Sequence, residues 1–170
     1  MSIPHGKVTG IVGPNGSGKT TLINTLTGML PYDSGVMRVG TVALSRIHPA
    51  DVPTYGITRT FQQVRLFGQM SVLDNILVVL TEKSIGKALF ERHTAYHRAQ
   101  AKEILTHVGL WEKCDEHAEH LSYGQRKLLE IARALAMRTN IILFDEPYAG
   151  LFPEMRERVS STIAHLREQQ

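Results

Sequence analysis

Gly13-Pro14-Asn15-Gly16-Ser17-Gly18-Lys19-Thr20 places glycines, a lysine and a hydroxyl at the intervals that phosphate chemistry needs. Glycines let backbone N–H groups converge on an anion without Cβ obstruction, and a helix opening at the end of the loop adds the partial positive charge of its first turn. Lys19 supplies a mobile cation for β and γ phosphates, and the Thr20 hydroxyl offers a hard oxygen to a Mg2+ ion bridging the same phosphates; Thr21 follows in the same turn. The competing reading is a flexible glycine turn. Against it stand the apolar run Val8 to Val12 before the loop and the helical-looking segment Lys19 to Thr27 after it, which give the strand, loop and helix order of a phosphate cradle. The stretch predicts binding of a nucleoside triphosphate.

Two further constellations complete that chemistry. Ile141-Ile142-Leu143-Phe144-Asp145-Glu146 reads as a buried parallel strand closed by two carboxylates. Asp145 is placed to hold Mg2+ through its water shell, and Glu146 beside it to polarise an attacking water. The plainer alternative is a core strand ending in two solvated acids. Leu121-Ser122-Tyr123-Gly124-Gln125 has the spacing of a capping box, Ser122 and Gln125 satisfying the first N–H groups of the helix that follows. Such a capped helix start is also an anion site, and the two readings are compatible.

The elements that must position these groups follow from turn chemistry and apolar spacing. Gly28 to Gly35 is a turn, Val36 to Leu44 is strand-like, and Ile57 to Phe61 reads as a short strand. Ser71, with Asp74 at the capping-box position, heads an apolar helix through Leu80. Lys87 to Val108 carries Leu89, Ala95, Ala99, Ile104, Leu105 and Val108 at helical spacing; Ser122 opens a second strong helix with Leu128, Leu129, Ala132 and Leu135 on one face. Pro153 to Gln170 is helical again, with Met155, Val159, Ile163 and Leu166 on one stripe. The expected architecture is α/β: a core from residues 1–70 and 138–170, with a mostly helical insert over 71–137 that carries the capped Ser122 helix.

Composition narrows the partners. The 170 residues are 42% hydrophobic, enough for one sizeable core. No apolar run approaches the ~20 residues that span a bilayer, and residues 1–10 lack the pattern of a secretory signal, so a membrane role is expected to run through a partner. The single cysteine, Cys114, forms no internal disulfide and fits a reducing cytoplasm. A net charge of +3 without any Lys/Arg block gives no support for a nucleic-acid partner.

The phosphate loop, Gln62, the Leu-Ser-Tyr-Gly-Gln signature at 121–125 and the Asp145-Glu146 strand, in that order and at these intervals, resemble the nucleotide-binding domain of ATP-binding cassette (ABC) transporters, a P-loop NTPase fold. Within that family, Arg59-Thr60-Phe61-Gln62 to Arg65-Leu66-Phe67, Tyr123 in the signature and Pro147-Tyr148-Ala149-Gly150-Leu151 are similar to the ATPase subunit of branched-chain amino-acid importers. The resemblance implies ATP and Mg2+ as cofactors. It assigns the phosphates to Gly13 through Thr20, and γ-phosphate and Mg2+ sensing to Gln62, which with the segment up to Phe67 also touches the membrane subunit. Ser122, Gly124 and Gln125 are assigned to the ATP of an opposite protomer, Mg2+ support to Asp145, and the general base to Glu146. Its implied partners are a second cassette, identical or related, transmembrane permease subunits and, indirectly, an extracytoplasmic solute-binding protein, with the chain on the cytoplasmic face of the membrane. ATP closes the dimer and hydrolysis reopens it.

The same resemblance leads to an expectation of incompleteness at both ends: an upstream strand with an adenine-stacking aromatic and a switch histidine beyond the Asp-Glu pair are expected features that residues 1–170 do not supply, His165 falling on a helical stripe instead. A nucleotide-binding remnant without turnover is therefore the alternative to an ATPase. Other constellations carry less. Cys114, His117 and His120 are an incomplete zinc set beside the solvated acids Asp115, Glu116 and Glu119, and His93 with His97 lacks an adjacent glutamate base. A GTPase would need a base-reading Asn/Thr-Lys-x-Asp motif, and a DNA-organising ATPase a long coiled coil; neither is present in the sequence.

Overall fold

In the computed structural model, which describes residues 2–61, 64–81 and 95–168, the phosphate loop runs straight into helix α1 (Lys19–Leu26). The helix stops where the Thr27 hydroxyl donates back to the Ile23 carbonyl at 2.8 Å and Gly28 takes φ 68°, a conformation that favours glycine. The strand-like stretch expected over Val36 to Leu44 is a hairpin: β1 (Met37–Val39) pairs antiparallel with β2 (Val42–Leu44) about Gly40, at φ 57°. A 3-10 segment, Pro49–Tyr55, leads into β3 (Ile57–Arg59).

Three helices then form the larger core. In front of α2 (Val72–Thr81), the Ser71 hydroxyl accepts the Asp74 N–H at 3.0 Å and donates to the Asp74 carboxylate at 2.8 Å, the helix start expected from the sequence. Next come α3 (Ala95–His107) and α4 (Tyr123–Ala136). The expected Lys87 start of α3, with Leu89 and His93, lies outside the described residues. Helix α4 has its full capping box: Ser122 Oγ accepts the Gln125 N–H at 3.3 Å and Gln125 Oε1 accepts the Ser122 N–H at 3.0 Å, an arrangement worth about 1 kcal/mol. Val72, Ile76, Leu105, Leu128 and Leu129 are buried together.

The chain returns through β4 (Ile141–Leu143), parallel to β3 with Ile57 opposite Ile141 and Arg59 opposite Leu143, and ends in α5 (Pro153–Glu168), whose Val159 joins the larger core. This parallel pair joins segments over eighty residues apart, so the helices between them act as a crossover that brings residue 59 beside residue 145. No described helix is long and apolar enough to cross a membrane.

Two expectations are corrected. Val8 to Val12 does not form a strand: it is unpaired, with Val8 64% and Val12 93% exposed. A short strand persists only with a ladder partner and an apolar layer on its face. Here Gly10 interrupts the run and no described segment covers its side chains. Strand β4, expected to be buried, is half-buried along its length, because among the described residues it pairs on one side only.

Candidate functional site: a phosphate cradle with two carboxylates

Gly16 and Gly18 take φ 81° and 88°, so the loop bends at two positions that an L side chain rarely occupies. Gly13 is required for space: a Cβ there would stand 2.6 Å from Ser17 Oγ. The loop is closed by the Ser17 N–H donating to the Pro14 carbonyl at 3.2 Å, and Gly18 is the residue from which α1 starts. The N–H groups of the first helical turn have no intrahelical acceptor, and they open onto a cavity of about 430 Å3 lined by Asn15, Gly16, Gly18, Lys19, Thr20, Thr21 and Glu146.

The Lys19 ammonium is folded over this loop, donating to the Gly13 and Pro14 carbonyls, both at 2.8 Å. Asp145 lies beside Thr20, the Thr20 hydroxyl standing 3.5 Å from Asp145 Oδ1, at the limit of a hydrogen bond. Glu146 sits on the cavity wall at φ 48°, a left-handed conformation that costs a non-glycine residue of order 1 kcal/mol or more. The turn that imposes it, with the Ala149 N–H donating to the Glu146 carbonyl at 3.1 Å, turns this carboxylate residue towards the phosphate loop. Thr20 and Asp145 are hard oxygen donors within reach of one another, the ligand type that Mg2+ prefers.

Sequence reasoning missed what holds Asp145. Asp145 is 2% exposed, and its carboxylate pairs through Oδ2 with Arg59 Nη2 at 3.0 Å, leaving Oδ1 towards Thr20. Arg59 Nη1 in turn donates to Asn24 Oδ1 at 2.6 Å and Thr27 Oγ1 at 3.2 Å, tying β3 to the last turn of α1. A signal was present in the sequence, an arginine at the end of an apolar strand, but only the β3–β4 register shows that its neighbour is the aspartate.

The remaining residues lie elsewhere. Ser122, Gly124 and Gln125 do not line the cavity. They form the start of α4, where Gly124 packs so closely on Met155 that a Cβ would stand 3.1 Å from its Cγ. Gln62 lies outside the described residues. Among the described residues no set of three or more His, Cys, Asp or Glu side chains is arranged to hold a metal, Cys114, His117 and His120 included; the His117 and His120 rings stack at 5.7 Å.

Farther along α4, Glu130 is a buried carboxyl. Burial pushes its pKa up, and the Phe61 backbone N–H, Lys127, the Arg65 backbone and Arg133 pull it partly back. A carboxyl raised in the folded state contributes stability that is complete below the ordinary carboxylate pKa and is lost as pH rises through the folded value. Melting temperatures measured from about pH 4 to about pH 8 are therefore expected to include a decline that Glu130→Gln removes.

Fold and cradle together define a phosphate-loop NTPase. The chain belongs to the ABC transporter family, whose family model matches residues 1–149, and it is an ATP-binding cassette of that family. It is 35% identical over 176 residues to the high-affinity branched-chain amino acid transport ATP-binding protein LivG of Salmonella typhimurium, covering 98% of this chain and 69% of that protein. A probable LivG of Methanocaldococcus jannaschii is 36% identical over 173 residues, covering 98% and 67%. Among solved structures, the ADP conformation of an ATP-binding cassette of an ABC transporter superposes with a TM-score of 0.82 at 36% identity, covering 99% of this chain and 69% of that one. A dimeric post-hydrolysis cassette bound to ADP and Pi gives 0.83 at 26% identity, covering 99% and 73%. The chain thus spans about two thirds to three quarters of the length of these relatives.

Proposed function

We propose that this chain is the ATP-hydrolysing subunit of an ABC importer for branched-chain amino acids, acting at the cytoplasmic face of the membrane through permease subunits. The observation that carries the reading is the meeting of Lys19, Thr20 and Glu146 around one cavity, with Asp145 oriented against Thr20. Lys19 and the first-turn N–H groups bind the β and γ phosphates, and Glu146 takes a proton from the attacking water. Thr20 and Asp145 are the residues that would hold Mg2+, joined in this proposal by Gln62; bound there, the ion neutralises phosphate charge.

The capped Ser122 helix start does not line its own chain's cavity, and a helix N-terminus attracts anions, which favours a role towards the nucleotide of a second cassette. A triphosphate shared in this way makes association depend on ATP. The relatives named for branched-chain amino acid transport support the solute class, and an extracytoplasmic solute-binding protein completes the system.

Sedimentation of Glu146→Gln protein tests the proposal. In Mg-ATP it is expected to run as a dimer and in Mg-ADP as a monomer; a monomer in both contradicts the shared nucleotide. In cells, the same substitution is expected to abolish uptake of labelled leucine while leaving ribose uptake intact, and the reverse pattern contradicts the solute class.

A further inference from the structure

Arg59 does more to Asp145 than neutralise its charge. The two side chains are 8% and 3% exposed, and the contact falls on one carboxylate oxygen, Oδ2, at 3.0 Å from Nη2. The guanidinium is itself fixed: Nη1 donates to Asn24 Oδ1 at 2.6 Å and to Thr27 Oγ1 at 3.2 Å, and the Phe61 ring centre lies 5.0 Å from Cζ. Helix α1 thus holds the arginine fork, and the fork holds the carboxylate. What remains of Asp145 for a cation beside the phosphate loop is Oδ1, 3.5 Å from the Thr20 hydroxyl.

A carboxylate presented in this way discriminates between hard cations. Mg2+ demands a small, near-octahedral shell, keeps several waters and takes few carboxylate oxygens, whereas Ca2+ accommodates about six to eight oxygens and takes a carboxylate through one or both of its oxygens. With Oδ2 committed to Arg59, chelation through both oxygens is closed to Asp145, and contact through one oxygen or through water is left open. We propose that Arg59 is a specificity-determining residue: by leaving Asp145 a single free oxygen, it makes the cradle favour a nucleotide carrying Mg2+ over one carrying Ca2+. The inference rests on the reading of Thr20 and Asp145 as the groups that hold the metal.

Lysine in place of Arg59 separates orientation from charge. In Arg59→Lys the positive charge stays beside Asp145, but on a point donor at the end of a flexible stem, without the fork that joins Asp145 to Asn24 and Thr27. The carboxylate is then free to turn. Asn24→Ala loosens the same fork from its other end and leaves the ion pair in place. For the unaltered full chain and both variants, the dissociation constant of a non-hydrolysable ATP analogue is measured in Mg2+, in Ca2+ and in EDTA, beside the melting temperature. Each metal's effect is taken relative to EDTA, so that a change in the phosphate loop itself cancels. The unaltered chain is expected to gain more affinity from Mg2+ than from Ca2+. Arg59→Lys is expected to narrow that preference by roughly three- to tenfold, and Asn24→Ala to narrow it by less.

A role in stability alone lowers the melting temperature and leaves the preference where it was. An unchanged preference in folded Arg59→Lys therefore overturns the inference; where that variant does not fold, an unchanged preference in Asn24→Ala overturns it. If the unaltered chain gains nothing from Mg2+ over EDTA, the metal reading itself fails and takes the inference with it. Equal gains from both cations leave that reading standing and overturn the selectivity, which separates the two failures.

Discussion

Glu146→Gln is expected to bind Mg-ATP as tightly as the unaltered chain and to hydrolyse it about a hundred- to ten-thousandfold more slowly. Glutamine keeps the size and polarity of the side chain, so the cavity wall that residue 146 forms with Asn15, Gly16 and the run from Gly18 to Thr21 is preserved. It cannot accept a proton from water. The backbone at 146 is held in its left-handed turn by the chain on either side, so the substitution leaves the geometry in place and removes the base. Single-turnover hydrolysis beside equilibrium binding checks both halves: a matching loss of binding would make Glu146 a nucleotide-binding group, and an unchanged rate would take it out of the reaction.

Arg59→Ala is expected to cost about 3–5 kcal/mol of folding stability, which in a domain of this size lowers the melting temperature by roughly 6–20 °C. The cause is the carboxylate left behind. Asp145 is buried, and with Arg59 gone its Oδ2 loses the guanidinium at 3.0 Å that compensates its charge. The anchor to Asn24 and Thr27 at the end of α1 is lost in the same step. Removing both charges, as in Arg59→Met/Asp145→Asn, is expected to recover much of the loss, because a broken buried pair is far worse than an absent one. Thermal melts of Arg59→Met, of Asp145→Asn and of the double variant close the cycle; a double variant no more stable than Arg59→Met contradicts the ion-pair explanation.

The chemistry of this chain was legible where it is local. The glycines at φ 81° and 88°, the lysine that follows and the capped start of α4 are written in consecutive residues, and the sequence alone identified all three. The helices over Val72–Thr81 and Tyr123–Ala136 were legible for the same reason, each having a capping serine and an apolar stripe. What escaped depends on register. Arg59 meets Asp145 only because β3 pairs with β4 across the helical crossover. The burial of Lys127 and Glu130 shows only once α4 is packed, although their place beside its apolar face was a signal. The error at Val8 to Val12 is of the same origin: apolar composition suggests a strand, while pairing and cover decide whether one forms.

A structure of Glu146→Gln protein with Mg-ATP tests the central claim most directly. The account predicts the β and γ phosphates between Asn15 and Thr21, the Lys19 ammonium drawn off the Gly13 and Pro14 carbonyls onto them, and Asp145 facing the ion beside Thr20. Phosphates bound elsewhere, or a Lys19 still resting on those two carbonyls with nucleotide present, would contradict it.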